Sequence, residues 1–173
     1  MEKTEIRLFT LADRDWLIDV HQETYTREEG FDDTFGPLVA QIVDDFIADH
    51  NPVDERGWIA WQGDVRLGSI FCVRLDEERA KLRLFQLVPA ARGLGLGRQL
   101  LEACTGFAQQ QGYDGMQLWT HKSHEAACAL YLRNGWRIVE EKPVVSFGVP
   151  LIEQTLTLSW EDLPVGSGQY GKL

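Results

Sequence analysis

Three glycines fall within five residues in the stretch Leu84-Phe85-Gln86-Leu87-Val88-Pro89-Ala90-Ala91-Arg92-Gly93-Leu94-Gly95-Leu96-Gly97-Arg98. An apolar run with strand character stops at Pro89, and a helical repeat of apolar residues starts at Leu96. Glycines between them let the backbone enter conformations that side chains resist, and let it approach a ligand closely. The first amides of the helix have no partner inside it, and the helix dipole adds partial positive charge there. A chain built this way receives a phosphate at that point. Arg92 and Arg98 would add charge to it.

Two common phosphate loops do not fit. A P-loop requires a lysine followed by Ser or Thr after its last glycine, and this segment has none. A dinucleotide fingerprint expects an acidic residue ~20 positions on, at the end of the next strand. Here that strand ends Leu118-Trp119-Thr120 without a carboxylate.

The surrounding pattern supplies an architecture. Lys3 to Phe9 alternates as a strand, and Thr10 or Asp13 caps a helix expected to reach Thr24. A polar loop follows over Arg27 to Thr34. Leu38, Val39, Ile42, Val43, Phe46 and Ile47 mark one face of a second helix, which stops before Asn51-Pro52. Gly57 to Trp61 and Val65 to Arg74 form a hairpin about Gln62-Gly63-Asp64, and Ala80 to Val88 is a further strand. A helix over Leu96 to Gln111, a strand over Gly115 to Thr120 and a helix over Glu125 to Arg133 come next. Two strands, Trp136 to Val145 and Ile152 to Trp160, complete the order. That succession predicts an α/β sheet with helices on both faces. The 173 residues fit one domain. We place it at 1–165, with a flexible glycine-rich tail at 166–173.

Arg92, Gly95 and Gly97 meet the RxxGxG signature of the GNAT acetyltransferases, with Pro89 three residues ahead as in many members. Ala126-Ala127-Cys128-Ala129-Leu130-Tyr131-Leu132-Arg133-Asn134-Gly135-Trp136 is similar to the family's ALYxxxGF segment, with Trp136 replacing Phe. The chain therefore resembles the GNAT family over about Glu5 to Trp160. Val39 to Phe46, Leu118-Trp119-Thr120, Val139-Glu140-Glu141 and Ser146-Phe147-Gly148 resemble, more narrowly, the acetyltransferase half of proteins fused to a MarR-type regulator.

The resemblance implies a mixed, mostly antiparallel sheet of six to seven strands, splayed between strands 4 and 5. It implies acetyl-CoA as cosubstrate and no metal. The activity implied is transfer of acetyl to a primary amine by direct attack. Arg92 and the backbone of Gly93, Leu94, Gly95, Leu96, Gly97 and Arg98 would hold the pyrophosphate. Phe85, Gln86 and Leu87 would pair with the pantetheine arm as an added strand. His124 stands where many relatives carry an asparagine that touches the cofactor. Tyr131 matches the general acid: a phenol with pKa about 10 keeps its proton at neutral pH and can pass it to the leaving thiolate.

The base is open among Glu23, Glu29 and His21, since Gln86 cannot take a proton where many relatives have a glutamate. Tyr25, Phe31 and Phe35 are placed at the acceptor site, with Trp119 and His121 facing the cleft. The acidic groups Glu28-Glu29 and Asp32-Asp33 would attract a cationic amine. The acceptor itself, a small molecule or a peptide, is not specified by these residues. A non-catalytic acyl-CoA-binding regulatory module is the alternative function, and a nucleotide enzyme using the glycine loop is a third.

Composition narrows the partners. Seventeen basic against 27 acidic residues give a net charge of −10, which opposes nucleic-acid binding. No run approaches the ~18 apolar residues of a membrane span, and the first residues are polar, so a cytoplasmic protein is expected. Cys72, Cys104 and Cys128 have neither disulfide nor zinc spacing. Homodimers are common in the family, and one is an expectation here.

Overall fold

In the computed structural model, residues 3–163 are described. The chain runs β1 (Thr4–Leu8), α1 (Arg14–Glu29), α2 (Phe35–Asp49), β2 (Arg56–Gln62), β3 (Val65–Arg74) and β4 (Arg79–Leu87). It continues with α3 (Leu96–Gln110), β5 (Gly115–His121), α4 (Glu125–Arg133), β6 (Arg137–Ser146) and β7 (Val149–Ser159). This is the expected order. The segment 166–173, expected to be a flexible tail, lies outside the described residues.

The first helix differs from expectation. It runs on to Glu29, so Tyr25, Glu28 and Glu29 are helical rather than in a loop. Arg27 pairs with Glu23 one turn earlier at 2.8 Å, and Gly30 then ends the helix in the left-handed region at φ 73°. A charged stretch reads as solvated loop, yet Glu and Arg are good helix formers and glycine supplies the stop.

All seven strands form one sheet in the order β1-β2-β3-β4-β5-β7-β6. Only β4 and β5 run parallel; every other pair is antiparallel. The sheet is therefore mixed and mostly antiparallel. One face packs on α3 through Ile70, Cys72, Leu82, Leu100, Leu101 and Cys104, all buried. The other packs on α1 and α2 through Leu17, Val39, Val43 and Phe71. Each fully buried Leu of these layers contributes roughly 1.5–3 kcal/mol.

A bulge in β4 positions the site. Ser69 faces Gln86 and Phe71 faces Arg83, so β4 carries one residue more than β3 between these pairs. Leu84 takes φ 53° there, and the Ser69 hydroxyl donates to its carbonyl at 2.7 Å. The extra residue inverts the alternation. Ala80 and Leu82 face the α3 core, as do Phe85 and Leu87, while Leu84 packs with α1 and α2. Pairing of β4 with β5 covers only Arg79–Lys81 against Gly115–Gln117. Beyond those three residues the strands part.

Candidate active site

The glycine loop opens at the parted end of β4. A short turn over Pro89–Ala91 leads to Arg92, and Gly93 and Gly95 follow with φ 80° and 77°. Gly95 is the residue from which α3 starts. Gly97, in the first turn, is tight for a different reason. A Cβ there would lie 3.2 Å from both Leu130 and Leu87 side chains. No backbone carbonyl among the described residues accepts from the amides of Gly93 through Arg98. Unpartnered amides at a helix start are donors of the kind that suit an anion.

Beside this loop is a cavity of about 860 Å³ between α1, the end of β4, α3 and α4. Phe85, Gln86 and Leu87 line it, as do Arg92, Gly93, Gly95, Gly97, Arg98 and His124. Leu94 and Leu96 do not: Leu94 is 62% exposed and Leu96 is buried in the α3 core. Their side chains are thus outside the cavity, and only their amides face the question of phosphate binding. Arg92 is already engaged. Its guanidinium donates to both oxygens of Glu28, with Nη2 2.9 Å from Oε2. That pair holds the Glu28 carboxyl below its usual range.

On the far side of the parted strands is a second cavity of about 400 Å³, between α1, α2, β4, β5 and the β6–β7 turn. Tyr25, Phe31, Phe35, Trp119 and His121 line it, and so does Tyr131. Phe147 closes it from a two-residue turn, with φ 54° there and 75° at Gly148. Its carbonyl accepts from the Asp32 amide at 2.9 Å, which ties the turn to the α1–α2 connection.

The two cavities share four residues: Tyr25, Phe85, His124 and Ala127. His124 is at this junction, its ring 4.7 Å from that of Tyr25, its Nε2 3.4 Å from a Glu29 oxygen. Burial lowers the His124 pKa to about 4, with His121 adding repulsion, so the ring is neutral at pH 7. His21 is held at about 4 by burial as well. Its Nδ1 is 2.8 Å from the Leu17 carbonyl and must carry the proton, which leaves an unpartnered Nε2 as an acceptor. Burial also pushes the Tyr131 and Tyr25 phenols up, so both keep their protons. The Tyr131 hydroxyl bonds to no other described residue, and its ring is packed between Phe85 and Trp136 at 5.9 and 5.8 Å.

A family model described as the Acetyltransferase (GNAT) family matches residues 8–136. The chain belongs to the GNAT acetyltransferases. Among curated proteins none matches it. Solved structures share the GNAT fold at low identity. An acetyltransferase of the family from Staphylococcus aureus is 18% identical, with 91% of this chain and 99% of that one aligned at a TM-score of 0.75. A Salmonella typhimurium protein solved with its cofactor acetyl-CoA is 17% identical, covering 90% and 93%, at 0.71. A Bacillus subtilis acetyltransferase solved with CoA is 19% identical, covering 91% and 99%, at 0.66.

Within this GNAT domain several expected residues sit apart from the site. Glu23 lines neither cavity, is exposed and pairs with Arg27. Asp32 and Asp33 line neither, and Asp32 accepts from the Thr34 amide. Glu28 and Glu29 border the first cavity, not the second. Sequence reading passed over Lys81 and Arg83, which reach the second cavity from β4. Their signal was present as cations alternating with Ala80 and Leu82.

Proposed function

We propose that the protein transfers an acetyl group from acetyl-CoA to a primary amine, the larger cavity taking the coenzyme and the smaller the acceptor. The observation that supports this most is the junction. Two cavities of different character meet only through Tyr25, Phe85, His124 and Ala127, with the Tyr131 phenol at hand. Bound acetyl-CoA supplies the activated acyl thioester. The chain's residues do the rest. Free amides of Gly93 to Arg98 and the guanidinium of Arg92 receive the diphosphate, and Gly93 and Gly95 leave open space beside the loop. The open edge of Phe85 to Leu87 pairs with an extended amide chain. This cradle fits the coenzyme, because the amides from Gly93 to Arg98 give no hydrogen bond to a described backbone carbonyl and Arg92 and Arg98 line the same cavity.

An amine with pKa about 10 must lose a proton before it attacks. Neutral His124, with Glu29 against its Nε2, is placed to take it, the carboxylate steadying the ring as charge arrives. Tyr131 holds a proton for the departing thiolate. A non-catalytic binding module would use the larger cavity alone and gives no part to the second.

Thiol release from acetyl-CoA across a panel of amines tests the proposal, with N-acetyl product confirmed by mass. Turnover with at least one amine is expected, falling in Tyr131→Phe. Tight coenzyme binding with no turnover of any amine would favour the binding module.

A further inference from the structure

Two positive side chains lie where the acceptor would enter, and no described carboxylate neutralises them. Lys81 and Arg83 stand two residues apart on β4, on the face opposite Ala80 and Leu82, and both line the smaller cavity. Arg83 Nε is fully buried and has no hydrogen-bond partner. Neither residue forms an ion pair with any other described residue. Lys81 lies over the Trp119 ring at 4.7 Å, which covers one side of the ammonium. Burial lowers both pKa values, and the charge of Arg83 lowers that of Lys81 further.

The nearby acids are otherwise occupied. Glu153 is the one carboxylate lining the cavity among the described residues, and it lies 3.6 Å from Lys142. Asp45 on α2 acts on Arg83 only at a distance, is exposed and accepts from Gln41. In a chain of net charge −10, an unneutralised and partly desolvated pair of cations is costly unless something pairs with it. Phe31, Phe35 and Phe147, with Leu38, Val39 and Ile42 from α2, give the wall an apolar sector beside its polar residues. About 400 Å³ suits a small ligand.

From this arrangement we infer that the acceptor is an amine bearing a carboxylate and an apolar or aromatic side chain, an amino acid in chemical class, with Arg83 and Lys81 holding the carboxylate. Phe31, Phe35 and Phe147 take the side chain, and the amine is left toward His124. The inference rests on the acetyltransferase reading for the identity of the two cavities. A cationic amine without a negative group would be repelled by these two residues.

The test is calorimetry on the CoA-saturated protein with L-phenylalanine, phenylalaninamide and phenethylamine, ligands that differ at the carboxylate. Phenylalanine should bind roughly 10- to 100-fold more tightly than the other two, as a charge-assisted contact implies. Arg83→Gln should remove that preference, Lys81→Gln should reduce it, and Arg83→Lys should restore part of it. Phenethylamine binding as tightly as phenylalanine, a preference untouched by Arg83→Gln, or no binding of any of the three would overturn the inference. Should Arg83→Gln fail to fold, the three-ligand comparison on the wild type decides alone. Acetyl transfer is followed in parallel. Arg83-dependent binding of phenylalanine without N-acetyl product would sink the transferase reading and leave this one standing. Acetylation of phenethylamine in preference to phenylalanine would do the opposite.

Discussion

Glu28 and Arg92 join the first helix to the glycine loop by a two-point ion pair at the edge of the larger cavity. They are 64 residues apart in the chain. The arginine proposed to meet a diphosphate is therefore already matched by a carboxylate, and an anion bound there would have to compete for it.

Replacing Glu28 by Gln removes that competition. CoA should bind roughly 3- to 10-fold more tightly to Glu28→Gln by calorimetry. Both side chains are partly exposed, so the loss of stability should stay below about 1 kcal/mol. Weaker CoA binding in the variant would mean that the pair orders the loop more than it blocks it.

Gly95→Ala tests the loop's backbone. Nothing lies within 4 Å of the added Cβ, so any effect comes from φ 77° alone. A non-glycine residue in that region costs about 1–3 kcal/mol. Melting temperature and CoA affinity should both fall. Gly97→Val instead meets Leu130 and Leu87, and should damage CoA binding through crowding where φ is ordinary.

Tyr131→Phe removes a hydroxyl that bonds to no described residue while keeping a ring packed on Phe85 and Trp136. Stability should change by less than about 1 kcal/mol. Turnover should drop about 100-fold, the scale of a lost general acid. Tyr25 is the second phenol at the junction, so Tyr25→Phe is the necessary comparison. A larger loss there would move the proton donor to α1.

Acid should weaken the fold before ordinary carboxylates titrate. His21 and His124 have folded pKa values of about 4, below the unfolded value of 6.5. Above pH 6.5 both states leave these rings neutral, and no penalty arises. As pH falls from 6.5 toward 4, the unfolded chain takes protons that the folded one refuses, so stability declines across that window. For His21 the loss is on the order of 3 kcal/mol by the lower end. Denaturant melts from pH 7 to 4.5 should show the decline, and His21→Leu should flatten it.

The glycine loop was readable because its geometry is local: φ values near 80° at Gly93 and 77° at Gly95 demand a particular residue type. The element order was readable for a similar reason, since apolar periodicity reports each helix and strand where it stands. Tertiary proximity was not. Nothing near Glu28 announces Arg92, and the acidic tail of α1 looked like a loop until Gly30 showed where the helix stops. Lys81 and Arg83 drew no reading from sequence, being cations that alternate with apolar residues along a strand, whereas the parted β4 and β5 give that half of the strand a cavity to face. His124 looked as well suited to solvent as to a cofactor, and it is 15% exposed beside Glu29.

The additional residue in β4 also limits how such a protein can change its diet. Ahead of Leu84 the even positions look toward α3, and behind it the odd ones do. Exchanging Lys81 or Arg83 alters one chamber and spares the other. Deleting Leu84 would restore strict alternation and leave Lys81, Arg83, Phe85 and Leu87 on the faces they hold now, whereas a residue inserted after it would turn Phe85 and Leu87 away from α3. Single substitutions can thus remodel one chamber alone, while an inserted residue would disturb both.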